Sequence, residues 1–412
     1  MAKYVEDEYE YEDERPRKKT SSGSKGSGKK SSGSKGGSKK SSGSKGGSKK
    51  SSGSKGSSKK SSSKKQQAKK QRRRIIIFIV EIIILLVAVF VLYGVLTATK
   101  SGKVDLDEGD IIINDTVKEA QETTMRGYRN IALFGVDSTS GALTKNTRSD
   151  TIMIASINQD TGECKLVSVY RDTYLNLSND SYNKCNAAYA KGGPEMAISM
   201  LNMNLDLNIT DFVTVGFAGL TDTIDALGGV YIDVDDSEIS HLNNYQLCIA
   251  EDLKRSYTPV SSTGYQLLDG LQATGYCRIR YTAGDDFKRA ERQREVLSAV
   301  ADQAKKASLP KLTETASAVF DKTYTSLDLN EIIEMLGKVN TYYISDTAGF
   351  PQESNRATGT IGSKGSCVIP LNLEDNVKWL HQFLFDDYDY EPSETVKQCS
   401  EKIYSDTNGY LK

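Results

Sequence analysis

The feature that most constrains this chain is an uninterrupted apolar run, IIIFIVEIIILLVAVFVLYGVL, from Ile75 to Leu96. Its 22 residues include one charged side chain, Glu81, and a helix of that length can span a bilayer core of about 30 Å. Five basic residues between Lys69 and Arg74 precede it, and this bias of Lys and Arg places the N-terminus in the cytoplasm. The run is too long for the apolar core of a cleaved signal peptide. We therefore predict a single-pass membrane protein with a retained anchor and an extracellular C-terminal domain.

The apolar run separates two parts of opposite charge. Residues 1–74 carry 24 Lys and Arg against 7 Asp and Glu, whereas the rest of the chain carries 30 against 47. A ten-residue repeat of the type SSGSKGGSKK covers Ser21–Lys60 and offers nothing apolar to bury, which predicts a disordered cytoplasmic tail. The tail is either a solvated tether or a segment attracted to anionic lipid of the inner leaflet. Because no aromatic residue or folded reader accompanies the repeat, we do not expect nucleic-acid binding.

Changes in composition divide the chain into five predicted regions. They are a disordered tail at 1–74, a transmembrane anchor at 75–96, a polar stalk at 97–125, an extracellular folded domain at 126–390 and a C-terminal extension at 391–412.

The folded domain has the pattern of an α/β protein. RNIALFGV, DTIMIASIN, CKLVSVY, DFVTVGF and GGVYIDV are predicted strands, and helical periodicity begins at Pro194 and again in AGLTDTIDAL. This order predicts a mixed central sheet covered by helices on both faces. We also predict a short helix in GYQLLDGLQATGY, a strand at CRIRY, a long amphipathic helix from Asp286 to about Lys306, and helices near 309–321, 327–338 and 372–385. SDTAGFPQESNRATGTIGSKGS is predicted to be a loop.

The cysteines and histidines narrow the chemistry. All six cysteines lie on the outer side of the anchor, where disulfides are permitted, but their pairing stays open. The sequence has no CxxC motif, and its only histidines, His241 and His381, are far apart. This argues against a Cys/His zinc site and against a histidine-based catalytic triad.

Charged side chains stand at the ends of several predicted strands, where side chains are exposed at a sheet edge. The clusters are Asp137 in FGVDS, Arg148 and Asp150 in NTRSDT, Arg171 and Asp172 in VYRDTY, and the stretch CRIRYTAGDDFKRAERQR. Two carboxylates leaving neighbouring strands can share Mg²⁺ together with water and phosphate. Arginines nearby would supply planar donors to phosphate oxygens. Together the clusters predict a diphosphate site, although any one of them alone is typical of a solvated charged surface.

The fourth cluster contributes two faces to this site. Arg278 and Arg280 are two residues apart on a predicted strand and so share one side of it. In the following helix, Arg289, Arg292 and Gln293 are spaced i, i+3 and i+4 and share one face. If strand and helix pack together, the two faces meet across one pocket. Asp285 and Asp286 are candidates for ordering the helix start or for assisting proton transfer.

Taken in order, these motifs resemble the LytR–CpsA–Psr family of bacterial cell-envelope proteins. The resemblance runs through LFGVDS, RSDTIMIASIN, LVSVYRDTYL, KCNAAYAKGG, VGFAGLTDTIDALGGVYIDV, LDGLQATGYCRIR and GDDFKRAERQREVL. Two positions depart from the family pattern: Tyr170 stands where proline usually precedes the RD pair, and Cys185 stands where an apolar residue is usual. Neither departure removes a charged group.

The resemblance implies a phosphotransferase that moves a glycopolymer from a polyprenyl diphosphate carrier onto peptidoglycan and forms a phosphodiester. It implies Mg²⁺ as cofactor, held by Asp137 and Asp150. The implied catalytic residues are Arg171, Asp172, Arg278, Arg280, Arg289 and Gln293. The implied diphosphate-binding residues are Arg148, Arg171, Arg278, Arg280, Arg289 and Arg292.

Two other functions stay open: a membrane-tethered, non-catalytic sensor or regulator of envelope intermediates, and a polyprenyl diphosphate hydrolase that uses water as acceptor. The apolar helical segments MAISMLNMNL and AGLTDTIDAL are candidates for the wall of a lipid-tail site, although core packing would produce the same pattern.

Overall fold

The computed structural model describes residues 104, 106, 108–137, 143–144, 146–280 and 284–411. The chain divides into two units, Met1–Ile79 and Val80–Lys412, and every described residue lies in the second. The predicted cytoplasmic tail and the predicted membrane anchor, 1–74 and 75–96, lie outside the described residues. Of the helices within the described ranges, none combines the length and apolar character needed to cross a membrane.

The described strands are short and spread over the whole domain. In chain order they are β1 (Tyr128–Val136), β2 (Ser149–Asn158), β3 (Glu163–Val169), β4 (Tyr174–Asn176), β5 (Tyr182–Lys184), β6 (Asp211–Val215), β7 (Val230–Val234), β8 (Gly264–Leu268), β9 (Thr323–Thr325), β10 (Tyr343–Phe350), β11 (Arg356–Thr360) and β12 (Ser366–Pro370).

Helices lie between and after these strands. In chain order they are α1 (Asp115–Gln121), α2 (Asn186–Leu205), α3 (Phe217–Leu227), α4 (Asp236–Leu253), α5 (Gly270–Tyr276), α6 (Asp285–Lys306), α7 (Leu309–Val319), α8 (Leu329–Gly337), α9 (Leu373–Phe385) and α10 (Glu394–Thr407).

Six strands form a mixed central sheet in the order β10, β3, β2, β1, β6, β9. β1 pairs antiparallel with β2 and parallel with β6, and β10 pairs parallel with β3. Both faces of the sheet are covered, because Ile152 and Ile154 of β2 lie in the main core while Met153 and Ala155 face a second apolar cluster. This alternation along one strand confirms the predicted mixed sheet between two layers of helices.

Helix α2 shows how the sequence sets a local boundary. Gly193 has a φ of +69° and interrupts the helix, and Pro194 begins its second part. Proline is favoured there because the first turn of a helix has no use for its missing N–H. The predicted helix start at Pro194 is therefore confirmed.

The segments that flank the predicted domain pack against it. Val117 of α1 and Met125, both within the predicted stalk, are buried in the main core cluster. Val396 and Ile403 of α10, within the predicted C-terminal extension, are buried in the same cluster. The main core therefore includes residues on both sides of the 126–390 range.

Several local predictions were wrong. Residues 277–280, the described part of CRIRY, do not form a strand. The amides of Arg278 and Ile279 donate to the carbonyls of Gly275 and Tyr276, so turns that continue from α5 occupy backbone groups that a sheet would need. β7 pairs with β8 in a separate two-stranded sheet. The short helix predicted in GYQLLDGLQATGY is confirmed as α5, which follows β8 within that stretch.

The segment predicted as a loop, 345–366, covers most of β10 and all of β11, and β12 begins at its last residue. β10 is an edge strand with mostly exposed side chains, so its sequence lacks the apolar alternation by which strands are recognised. Its pairing partner, β3, supplies the backbone hydrogen bonds instead.

Candidate active site

A cavity of about 410 Å³ lies between the central sheet and helices α3 to α6. Apolar side chains form much of its wall, among them Leu133, Met153, Val213, Leu220, Val296, Leu297 and Val300. Six charged or polar predicted site residues also line it: Asp137, Asp150, Arg278, Arg280, Arg289 and Gln293. Along α6 the lining changes from Arg289 to Val300, over about 16 Å of helix at 1.5 Å per residue. The cavity is therefore charged at one end and apolar at the other.

Two carboxylates meet at the charged end because β1 and β2 are antiparallel. Val136, the last residue of β1, pairs with Ser149, the first residue of β2, so Asp137 and Asp150 each lie one residue from that pair. Burial raises the pKa of Asp137; Arg278, 3.8 Å away, lowers it, and the nearby Asp150 raises it again. Burial is the largest of these effects, and it disfavours the charged form of the carboxyl.

Arginines from three parts of the chain surround Asp150. Arg171 Nη1 donates to Asp150 Oδ1 at 2.6 Å. Arg280 Nη2 lies 4.0 Å from Asp150 Oδ2, and Arg289 Nη2 donates to the Asp150 carbonyl oxygen at 3.3 Å. Burial opposes the charged form of Arg171, but the surrounding carboxylates, led by Asp150, raise its pKa. The Arg171 guanidinium therefore stays charged at neutral pH.

Asp286, the second residue of α6, links the same arginines. Its carboxylate oxygens lie 3.0 Å from Arg289 Nη2, 3.7 Å from Arg171 Nε and 3.8 Å from Arg280 Nε. The sequence suggested either a helix-start role or proton transfer for this residue, and did not predict its contact with three arginines. The i, i+3 spacing to Arg289 was the only signal for that contact.

Arg289 is the most buried member of the cluster, with its side chain 4% exposed. Burial lowers its pKa to about 10, Asp286 opposes that shift, and Arg171 and Arg280 add to it. Its Nε has no hydrogen-bond partner among the described residues. A buried guanidinium with a spare donor beside other cations favours binding of an anion.

Arg278 is held at the edge of the cavity by aromatic rings. Its guanidinium lies 4.4 Å from the ring centre of Phe217 and 5.3 Å from that of Tyr245, both of which line the cavity. Such cation–π contacts fix the position of a cation without neutralising it. Gln293 Nε2 donates to the Cys277 carbonyl at 3.4 Å. The two aromatic residues lie on different helices, α3 and α4, and no sequence motif indicated their contact with Arg278.

Arg292 does not reach the cavity, although its spacing suggested that it would. Its Nε donates to Glu238 Oε1 at 2.7 Å, and the two side chains are 2% and 3% exposed. Nη1 also donates to the Ile279 carbonyl. Helical spacing brings Arg289 and Gln293 to the cavity but turns Arg292 toward α4. Its role in the structure is a buried ion pair, which corrects the expectation of diphosphate binding.

Three other predicted residues lie outside the cavity lining: Arg148, Arg171 and Asp172. Arg148 is exposed. Asp172 lies 3.8 Å from Arg171 Nε and 3.3 Å from Lys184 Nζ. Asp172 therefore contacts the site through Arg171, whereas Arg148 is not positioned by the described part of the cluster.

The donor set fits Mg²⁺, although in the described part of the chain no group of three or more His, Cys, Asp and Glu side chains is arranged to hold a metal. Mg²⁺ needs few protein ligands, because it retains water and takes phosphate oxygens. Asp137 and Asp150 offer two carboxylates at one sheet edge, which matches the few carboxylate ligands that Mg²⁺ takes beside water and phosphate.

The two apolar segments predicted as candidates for the wall of a lipid-tail site have different outcomes. AGLTDTIDAL, in α3, lines the cavity through Leu220 and Thr223, whereas MAISMLNMNL, in α2, does not and belongs to the main core. All six cysteines are free thiols. Burial raises the pKa of the Cys277 thiol to about 12, so it is a small buried side chain in the cavity wall.

Comparison with known proteins gives consistent matches. The LytR_cpsA_psr family model matches residues 91–360. The polyisoprenyl-teichoic acid–peptidoglycan teichoic acid transferase TagU of Enterococcus faecalis is 29% identical over 233 residues, which cover 56% of this chain and 70% of that protein. TagU of Halalkalibacterium halodurans is 31% identical with the same coverage. The structure of TagT bound to LIIa-WTA has a TM-score of 0.52 at 22% identity and is covered fully by 70% of this chain, which establishes similarity of fold.

Proposed function

This chain belongs to the LytR_cpsA_psr family, and we propose on that basis that it is a Mg²⁺-dependent phosphotransferase. It moves a glycopolymer from a polyprenyl diphosphate carrier onto peptidoglycan and forms a phosphodiester. The observation that carries the proposal is the cavity, whose apolar length opens on a cluster of arginines. A polyprenyl diphosphate matches this arrangement, because its apolar chain is joined to a concentrated negative charge.

The arginines at the charged end supply what phosphoryl transfer requires. Arg278, Arg280 and Arg289 line the cavity and would contact the diphosphate oxygens. Asp286, which Arg171 also contacts, holds Arg280 and Arg289 in position. Phosphoryl transfer depends on positioning and charge stabilisation more than on covalent participation by the protein. Planar guanidinium groups suit that task, because each can donate two parallel hydrogen bonds.

Asp137 and Asp150 would hold the Mg²⁺ ion. When bound, the metal would neutralise charge on the diphosphate oxygens. Metal and proton would compete for the Asp137 carboxylate, whose pKa is raised by burial. Asp150 would keep its hydrogen bond to Arg171.

The proposed reaction exchanges one P–O bond for another. A hydroxyl oxygen of the peptidoglycan acceptor forms a bond to the phosphorus that bears the glycopolymer, and the hydroxyl proton is released. The bond from that phosphorus to the bridging oxygen breaks, and polyprenyl phosphate leaves with that oxygen. The existing diphosphate linkage supplies the driving force, so no nucleotide is needed outside the cell.

Membrane attachment is part of the proposal. An anchor at 75–96 with a cytoplasmic tail at 1–74 would place the domain outside the cell, in the same membrane as its lipid-linked donor. Tethering raises the effective concentration of such a donor. The cationic tail is available for contact with anionic inner-leaflet lipid.

The test is turnover by the full chain in detergent micelles with Mg²⁺, a lipid-linked donor and a peptidoglycan oligosaccharide. We expect release of polyprenyl phosphate together with polymer joined to the oligosaccharide. Arg278→Ala should abolish both products, whereas Arg126→Gln, at an exposed arginine remote in sequence from the cluster, should leave them unchanged. Release of polyprenyl phosphate at equal rate without acceptor would instead identify a hydrolase, and binding without turnover would identify a sensor.

A further inference from the structure

A second cationic cluster lies beside the diphosphate arginines. It is centred on Tyr170, which precedes Arg171 and whose ring meets the ring of Phe287 edge-on at 4.7 Å. Phe287 follows Asp286. Arg356 Nη1 donates to the Tyr170 hydroxyl at 3.1 Å, and its guanidinium lies 4.0 Å from the ring centre of Phe287. The cluster is therefore one residue away from Arg171 along one segment and one residue away from Asp286 along another.

Arg294 is the second cation of this cluster and lies close to Tyr170. It shares a face of α6 with Phe287 and Ala290, and Ala290 and Phe287 pack with Tyr170 in one small apolar group. Its residue exposure is 8%, and its Nε and Nη1 have no hydrogen-bond partner among the described residues. Burial lowers the pKa of Arg294, while the nearby Tyr170 and Glu291 oppose that shift.

The charge of this cluster is not balanced in the described part of the chain. Arg171, Arg280 and Arg289 each lie within 4.0 Å of a carboxylate. Within the same described ranges, Arg294 and Arg356 form no ion pair, and Arg356 donates only to uncharged oxygens. A buried cation without a counterion is costly. Arg294 is such a buried cation, and Arg356 is a half-buried cation on the other side of the same cluster, bonded to the Tyr170 hydroxyl. Two cations without counterions beside Tyr170 therefore favour an oxyanion from outside the protein.

We propose that Arg294, Arg356 and the Tyr170 hydroxyl form a second oxyanion-binding subsite, which holds a carboxylate or phosphodiester of a substrate while the diphosphate occupies the arginines of the cavity. The proposal rests on the proposed function for the identity of the substrates. The oxyanion has two sources: the peptide carboxylates of the peptidoglycan acceptor, or the phosphodiesters of an anionic donor polymer. Guanidinium groups recognise both in the same bidentate manner.

Direct binding tests the subsite without relying on turnover. The full chain in detergent micelles is titrated by calorimetry with a soluble muropeptide bearing free carboxylates, with the same muropeptide amidated, and with a glycerol phosphate oligomer. We expect one anionic probe to bind and to lose about tenfold in affinity with Arg356→Gln or Arg294→Met, as for loss of a charge-assisted hydrogen bond. Arg126→Gln should bind normally, and Arg278→Ala should retain the binding because the cavity arginines are separate.

The outcome identifies the source of the oxyanion. Binding by the carboxylate muropeptide but not by its amidated form assigns the subsite to the acceptor. Binding by the glycerol phosphate oligomer alone assigns it to the donor polymer. If neither probe binds wild type, or if Arg356→Gln and Arg294→Met bind as wild type does, the proposal is wrong.

Stability and kinetics separate a binding role from a structural one. Arg294→Met removes a buried charge while keeping similar volume, so the Tm without ligand should stay equal or rise, whereas a structural arginine would lower it. Tyr170→Phe should weaken probe binding less than Arg356→Gln, because it removes only the hydroxyl. In turnover, Arg356→Gln should raise KM for the substrate that carries the oxyanion and leave kcat unchanged. Absence of turnover in wild type would contradict the proposed function and leave the binding result standing.

Discussion

Arg171, which lies just after β3, donates a hydrogen bond through Nη1 to Oδ1 of Asp150, the second residue of β2, at 2.6 Å. The two residues are 21 positions apart in sequence. The contact keeps one oxygen of a proposed Mg²⁺ ligand engaged and orients the other oxygen toward Arg280. A carboxylate held in this way is positioned before metal or substrate arrives.

Replacing Arg171 should lower turnover without preventing folding. Arg171→Ala frees the Asp150 carboxylate and removes a cation from the cluster, so kcat/KM should fall by about 10²- to 10³-fold, as for loss of one donor to a developing charge. Arg171→Lys keeps the charge but not the planar pair of donors, so its activity should lie between the two. Polyprenyl phosphate release measures both variants. Equal rates for wild type and Arg171→Ala would contradict this assignment.

Arg292 should affect stability rather than substrate binding. Arg292→Ala leaves Glu238 buried without its partner, so the free energy of unfolding should fall by about 3 kcal/mol. The double variant Arg292→Met with Glu238→Gln should recover much of that loss, because it leaves no buried charge. Thermal unfolding compares the three proteins. A variant of Arg292 that kept its Tm but failed to bind the donor would show that the residue acts in the cavity.

Protonation of Asp137 should make the stabilising effect of Mg²⁺ depend on pH. Its folded-state pKa is raised, so its contribution to stability is fully present below the unfolded pKa and is lost as pH rises through the folded pKa. At neutral pH without metal, Asp137→Asn should therefore have a Tm equal to or above that of wild type. Mg²⁺ competes with the proton, so MgCl₂ should raise the Tm of wild type but much less that of Asp137→Asn.

The pH profile of turnover provides the matching kinetic test. More Mg²⁺ should shift the acid limb of the wild-type profile to lower pH, because metal and proton compete for the same carboxylate. A profile that does not move with Mg²⁺ concentration, together with a Tm independent of MgCl₂, would remove Asp137 from the proposed metal site.

A substitution at Val300 should test how long a lipid chain the cavity accepts. It lies on α6 about 16 Å from Arg289 along the helix axis, at the apolar end of the lining. Val300→Trp should raise KM about tenfold for a long polyprenyl donor, since overpacking an apolar site costs on the order of 1–3 kcal/mol, and should leave a short isoprenoid donor unaffected. The exposed Leu247→Trp is the control. Equal effects on both donors would place the lipid elsewhere.

The parts of the fold with strong local patterns were predictable. β1, β2 and β3 are apolar runs bounded by turn residues, and α6 has a helical charge and apolar pattern that does not depend on its neighbours. β10 was missed because an edge strand with exposed side chains has no such pattern. The strand prediction for CRIRY was wrong for the opposite reason. Its alternating pattern suits a strand, but the amides of Arg278 and Ile279 donate to carbonyls of α5.

The candidate site was likewise predictable only in part. The sequence by itself determined which charged residues stand at the ends of strands and which family they resemble, because motif order and residue type are local properties. Only the tertiary structure decided which of them meet. It brought Asp137 and Asp150 together through the antiparallel pairing of β1 and β2, and turned Arg292 to Glu238 while Arg289 reached the cavity. It also placed Arg294 and Arg356 around Tyr170, because contacts between distant segments depend on packing that spacing alone does not fix.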